Sequence, residues 1–84
     1  MKKVVVYSKD GCHLCEKVIS ELEKLRVVES FDLVTQDITE DPDLFERYKN
    51  VIPVVVIDGS VKLAGAAISN PRNLEQVLTK AINH

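Results

Sequence analysis

Two features are scarce in this 84-residue chain: cysteine, present twice, and any excess of positive charge. A secreted, disulfide-stapled scaffold usually carries four or more cysteines, so the pair must be read by its spacing rather than as a framework. Eleven Lys and Arg against thirteen Asp and Glu leave a net charge of −2, which provides no positive field for phosphate backbones or anionic lipid. Nucleic acid and membrane partners are therefore not expected. No apolar run approaches the length of a membrane span. The opening Met1-Lys2-Lys3-Val4-Val5-Val6 is cut short by Tyr7-Ser8-Lys9-Asp10, well before the length of a secretory apolar segment, and a cytoplasmic location is the expectation. Repeats, low-complexity tracts and linkers are also missing, so residues 1–84 read as a single domain.

A hydrophobic fraction of 45% and a charged fraction of 29% suit a chain that folds on its own around one core. Val4-Val5-Val6-Tyr7 is a continuous β-branched and aromatic run, which predicts a strand over 2–8 buried on both faces. After the turn cluster Ser8-Lys9-Asp10-Gly11, the residues Leu14, Cys15, Val18, Ile19, Leu22 and Leu25 recur at helical spacing over 12–26. Phe31-Asp32-Leu33-Val34-Thr35 reads as a second strand. Asp41 as cap, Pro42 in the first turn and Asp43 at the positive end predict a short helix over 42–49, presenting Leu44, Phe45 and Tyr48 inward. The run Val51–Ile57 is a third strand with Pro53 near its start, and Asp58-Gly59 is a hairpin turn returning through Val61-Lys62-Leu63-Ala64. Asn70-Pro71 then opens a last helix striped by Leu74, Val77, Leu78, Ala81 and Ile82. The order is βαβαββα: an α/β fold with a four-stranded mixed sheet and helices on its faces. Alternating strand and helix imply parallel strands joined by right-handed crossovers, with the hairpin as an antiparallel edge.

Cys12-His13-Leu14-Cys15 falls where the first strand meets the first helix. Cys12 then sits among the unpaired amides of a helix start, with Lys9 before it and His13 beside it. Such a setting lowers a cysteine pKa from about 8.5 toward 7 or below. Cys15, one turn further and on the side of Leu14 and Val18, is the more buried thiol expected. The pair suits two-step exchange, with Cys12 attacking a disulfide and Cys15 resolving the mixed disulfide. A metal hook or two ordinary buried thiols are the other readings of this spacing. Mononuclear zinc wants four ligands, whereas the chain has two cysteines, His13 between them and His84 at the far end. An iron-sulfur cluster shared across a dimer, or a non-catalytic module docking a partner strand, stay as alternatives. His13 could tune the thiolate, relay protons or face solvent, and Lys9 could contact an anionic substrate or remain a solvated charge.

Val6-Tyr7-Ser8-Lys9-Asp10-Gly11-Cys12-His13-Leu14-Cys15-Glu16, Ile52-Pro53-Val54 and the Asp58-Gly59 hairpin together resemble the glutaredoxin branch of the thioredoxin-like superfamily. The resemblance spans essentially the whole chain and is strongest to small glutaredoxin-like proteins with a Gly-Cys-His-Leu-Cys-Glu segment. It implies a thiol-disulfide oxidoreductase acting on protein or small-molecule disulfides, and a monomer is the expectation. Glutathione or a thioredoxin-type reductase would supply electrons, and no cofactor or metal would be bound. It further implies that Pro53 is cis, whereas residue type alone would leave it trans, and that the Ile52 backbone pairs with substrate like an added strand. Glutaredoxins commonly carry a Gly-Gly pair and an acidic residue after the hairpin to hold the glutathione carboxylate. Here Leu63-Ala64-Gly65-Ala66-Ala67-Ile68-Ser69-Asn70 keeps Gly65 alone. Neither the Cys-Pro-Tyr-Cys center of glutaredoxins nor the Trp-Cys-Gly-Pro-Cys center of thioredoxins occurs.

Overall fold

The computed structural model describes residues 2–65, 76, 79 and 80. Strand β1 (Lys2–Ser8) leads into helix α1 (His13–Val28). Strand β2 (Phe31–Asp37) follows, then a 3-10 turn (Ile38–Glu40), helix α2 (Pro42–Tyr48), and the strands β3 (Val54–Ile57) and β4 (Ser60–Leu63). The expected last helix lies outside the described residues, apart from Gln76, Thr79 and Lys80, which are helical.

The four strands form one mixed sheet in the order β2-β1-β3-β4. Parallel pairing is confined to β1 and β2, with Val4 opposite Leu33 and Ser8 opposite Asp37. β3 runs antiparallel to β1, Val4 facing Ile57 and Tyr7 facing Val54. The alternation of strand and helix therefore misleads for the third strand: α2 does not carry the chain to another parallel strand but delivers it to the opposite side of β1. The apolar run of β1 is buried less evenly than its sequence predicts: Val4 and Val6 are fully buried on one face, whereas Val5 and Tyr7 on the other are half-buried.

Side-chain alternation sorts those faces. Val4, Val6, Phe31, Val55 and Ile57 meet Val18, Leu22 and Leu25 of α1 in one buried cluster, with Leu14, Ile19 and Leu33 packed against it. Tyr7 points to the opposite face, where its ring stacks on Tyr48 of α2 with centroids 4.9 Å apart. α1 and α2 thus engage opposite faces of the sheet. α2 is shallower than its sequence pattern predicts: Leu44, Phe45 and Tyr48 are only half-buried. Its start rests on local bonds, the Asp41 carboxylate accepting the Asp43 and Leu44 amides at 2.9 and 3.4 Å, with Pro42 in the first turn.

The hairpin turn is the predicted one. Asp58 and Gly59 both take positive φ, 51° and 84°, the pairing that a two-residue turn needs to match strand twist and that Asp-Gly tolerates best. Asp58 also fastens the turn to the start of β1. Its amide donates to the Lys3 carbonyl, and its carboxylate accepts the Lys3 amide, each at 3.0 Å.

Candidate active site

The loop Lys9-Asp10-Gly11 leaves the center of the sheet and turns back into α1. Gly11 takes φ 81°, and the Cys12 amide donates to the Lys9 carbonyl at 3.4 Å, closing the turn. Cys12 is then the cap of α1, in extended conformation (φ −90°, ψ 101°). Its carbonyl accepts the Glu16 amide at 3.1 Å. Its Sγ accepts the Cys15 amide at 3.2 Å. This position is ordinarily held by a Ser, Thr, Asp or Asn oxygen. A sulfur placed there lies among the orphan amides at the positive end of a 16-residue helix, the surroundings that favor its anionic form.

Cys15 differs from its neighbor in one decisive respect: it is 1% exposed, whereas Cys12 is only half-buried. The two are joined as a disulfide with their Cα atoms 5.2 Å apart, well within the range that such a bond requires. Cys12 is the more exposed of the two.

Lys9 and His13 flank this center in sequence, yet both side chains are exposed. The imidazole of His13 is 96% exposed and its Nδ1 lies 3.8 Å from the Glu16 carboxylate, itself 72% exposed. Among the described residues, no group of three or more His, Cys, Asp and Glu side chains is arranged to hold a metal ion.

Ile52 and Pro53 arrive at the same end of the sheet. The register of Tyr7 opposite Val54 sets Pro53 level with Ser8, where the cysteine loop departs. The Ile52-Pro53 bond is cis, as the family resemblance implies. Pro53 is fully buried and Ile52 half-buried. β3 begins at Val54, later than the apolar run from Val51 suggests. The Val51 amide is still engaged with the end of α2, donating to the Tyr48 carbonyl at 2.9 Å, and Pro53 has no amide hydrogen for the ladder.

Two neighbors of the site escape a linear reading. On the α1 side, a cleft of about 300 Å³ opens between the ends of β1 and β2 and the first turn of α1, with Ser8, Cys15, Glu16, Thr35, Asp37 and Glu40 in its wall. The parallel register sets Ser8 beside Asp37, and Glu16 of α1 lines the same cleft as Asp37 and Glu40. Asp37 also caps the 3-10 turn. Its carboxylate accepts the Thr39 hydroxyl at 2.6 Å and the Thr39 amide at 2.8 Å, and these two bonds, the hydroxyl first, hold its pKa below the ordinary 3.8. The second neighbor is Gly65, whose amide donates to the Val51 carbonyl at 2.7 Å, just before Ile52. A glycine after the hairpin is the only sequence signal of that contact.

The chain shares its architecture with several solved proteins. Protein Ne2328 from Nitrosomonas europaea, solved in solution, is 26% identical, with a TM-score of 0.73 over 96% of this chain and 91% of that one. Mitochondrial thioredoxin 3 from Saccharomyces cerevisiae in its oxidized form is 24% identical, with a TM-score of 0.68 over 98% of this chain and 76% of that one. Glutaredoxin 1 from Francisella tularensis, complexed with cacodylate, is 21% identical, with a TM-score of 0.54 over 94% and 99%. The last two likenesses show a common thioredoxin-like fold. No curated protein matches the chain. The family model of the glutaredoxin-like domain (DUF836) matches residues 3–83. With a fold of the thioredoxin type and a paired Cys12 and Cys15 at the helix start, the chain belongs to this glutaredoxin-like domain family.

Proposed function

We propose that the protein is a thiol-disulfide oxidoreductase that reduces protein or small-molecule disulfides in the cytoplasm. The observation that carries this reading is the inequality of the two cysteines: Cys12 is accessible and caps α1, while Cys15 is buried one turn on and already bonded to it. In the reduced protein the Cys12 thiolate attacks one sulfur of the substrate, the other substrate sulfur leaves as a thiolate, and a mixed disulfide forms. Cys15, deprotonated, then attacks the Cys12 sulfur and expels the second substrate thiolate. The substrate gains two electrons and two protons, and the Cys12-Cys15 disulfide is regenerated. Glutathione or a thioredoxin-type reductase resets the pair, and the Ile52 backbone beside Pro53 offers an edge on which an extended substrate segment can pair.

The test compares a glutathione mixed disulfide with a protein disulfide, using wild type, Cys12→Ser and Cys15→Ser, with each electron donor in turn. Cys12→Ser abolishes every turnover and Cys15→Ser accumulates the mixed disulfide. Turnover with glutathione that survives Cys15→Ser identifies a monothiol-capable glutaredoxin; turnover through the reductase that needs both cysteines identifies a dithiol carrier. Full turnover by Cys12→Ser would falsify the assignment.

A further inference from the structure

We propose that Gly65 is a positioning residue: by lacking a side chain it lets the chain after β4 lie directly against the Val51-Ile52 backbone and so fixes the edge on which an extended substrate pairs. The inference rests on the oxidoreductase reading and adds to it a residue that determines preference for peptide over small disulfides.

A Cβ built on Gly65 would stand 2.7 Å from the Ile52 carbonyl oxygen, 2.9 Å from the Val51 carbonyl oxygen and 3.2 Å from the Val51 carbonyl carbon. All three atoms are backbone, so no side-chain rotation relieves the overlap. The segment itself would have to move. The 2.7 Å bond from the Gly65 amide to the Val51 carbonyl shows what the closeness serves, since it ties the outgoing chain to the residue just before Ile52. The Val51 amide is held in turn by Tyr48, and Pro53 is packed in the core. Val51 is thus held through its amide by α2 and through its carbonyl by Gly65, and Ile52 lies between that anchored residue and the buried Pro53.

This contact gives the glycine a reason to be present that needs no glutathione carboxylate. Any residue with a Cβ pushes the Val51 and Ile52 carbonyls away by several tenths of an ångström, and a strand-like pairing at Ile52 loses its hydrogen-bond alignment. Cys12 and its helix cap lie on a separate segment and keep their geometry. The predicted effect is therefore selective: pairing of an extended segment suffers, thiolate activation does not.

The experiment is single-turnover oxidation of the pre-reduced protein by two probes, a ten-residue peptide containing one internal disulfide and bis(2-hydroxyethyl) disulfide, in wild type and Gly65→Ala. The ratio of the peptide rate constant to the small-disulfide rate constant falls about tenfold in Gly65→Ala, the equivalent of about 1.4 kcal/mol. The loss lies in the half-saturating peptide concentration, while the pH profile of Cys12 alkylation keeps its midpoint. An ester replacing the amide at the Gly65 nitrogen removes the bond to Val51 without adding a Cβ; it shifts the ratio in the same direction even if Gly65→Ala folds poorly. An unchanged ratio in the ester protein, or a loss that tracks a shifted Cys12 profile, overturns the role of Gly65 and leaves the oxidoreductase reading standing. A wild type that oxidizes with neither probe overturns both.

Discussion

The two central helices start alike and end up supported differently. α1 buries Cys15, Val18, Leu22 and Leu25 against the sheet; α2 buries no residue fully and is held at its start by Asp41 and Pro42. At the cap the strengths are reversed. α2 has a carboxylate accepting two amides, whereas α1 has a sulfur accepting one at 3.2 Å. A long helix with a buried face can give its cap to chemistry, because tertiary packing rather than the cap stabilizes it. A seven-residue helix has no such reserve.

The sharpest way to break this contrast is Cys12→Ser. Turnover is expected to vanish, yet the reduced variant should match or exceed the stability of reduced wild type in urea unfolding, because serine ranks among the best caps. A loss of more than about 1 kcal/mol would show that the sulfur cap supports α1 after all. Next in size is the buried face itself. Leu22→Ala should cost about 2–5 kcal/mol, as a fully buried leucine does, with the half-buried Leu44→Ala costing less than half as much. Equal costs would erase the distinction between the helices.

Asp41→Ala should cost about 1 kcal/mol and speed amide exchange at Asp43 and Leu44 while leaving protection within α1 unchanged. The smallest effect concerns Asp37. Its folded pKa is depressed by Thr39, so its contribution is fully present above the ordinary 3.8 and is lost as pH falls through the depressed value. Thr39→Val removes the first of the two causes, and carboxyl carbon NMR should then place the Asp37 midpoint higher. Stability should fall less steeply with acid below that ordinary value, an unchanged midpoint being the contrary result.

Much of this architecture is legible in the chain because the signals are local. The apolar spacing from Leu14 to Leu25 predicts α1 over 12–26, against His13–Val28 observed. The exposed Val27 and Val28, 86% and 76% accessible, add no core contact that the pattern could register. Asp41-Pro42 marks the start of α2 and Asp58-Gly59 the hairpin, each through the backbone needs of its own few residues. The cysteines are legible for the same reason: a two-residue spacing at a strand-helix junction places one sulfur at the cap and the other one turn inward.

What sequence by itself determined is therefore the order of the elements from β1 to β4 and the unequal pair Cys12 and Cys15, all set by interactions within a few residues along the chain. Only tertiary structure decided that β3 runs antiparallel to β1, since strand direction depends on where a long connection lands and not on the residues within the strand. It likewise decided that Ser8, Asp37 and Glu40 share one cleft, and that Gly65 lies on the carbonyls of Val51 and Ile52. Contacts between segments more than ten residues apart are selected by the packing of the whole sheet, and no periodicity within either segment encodes them.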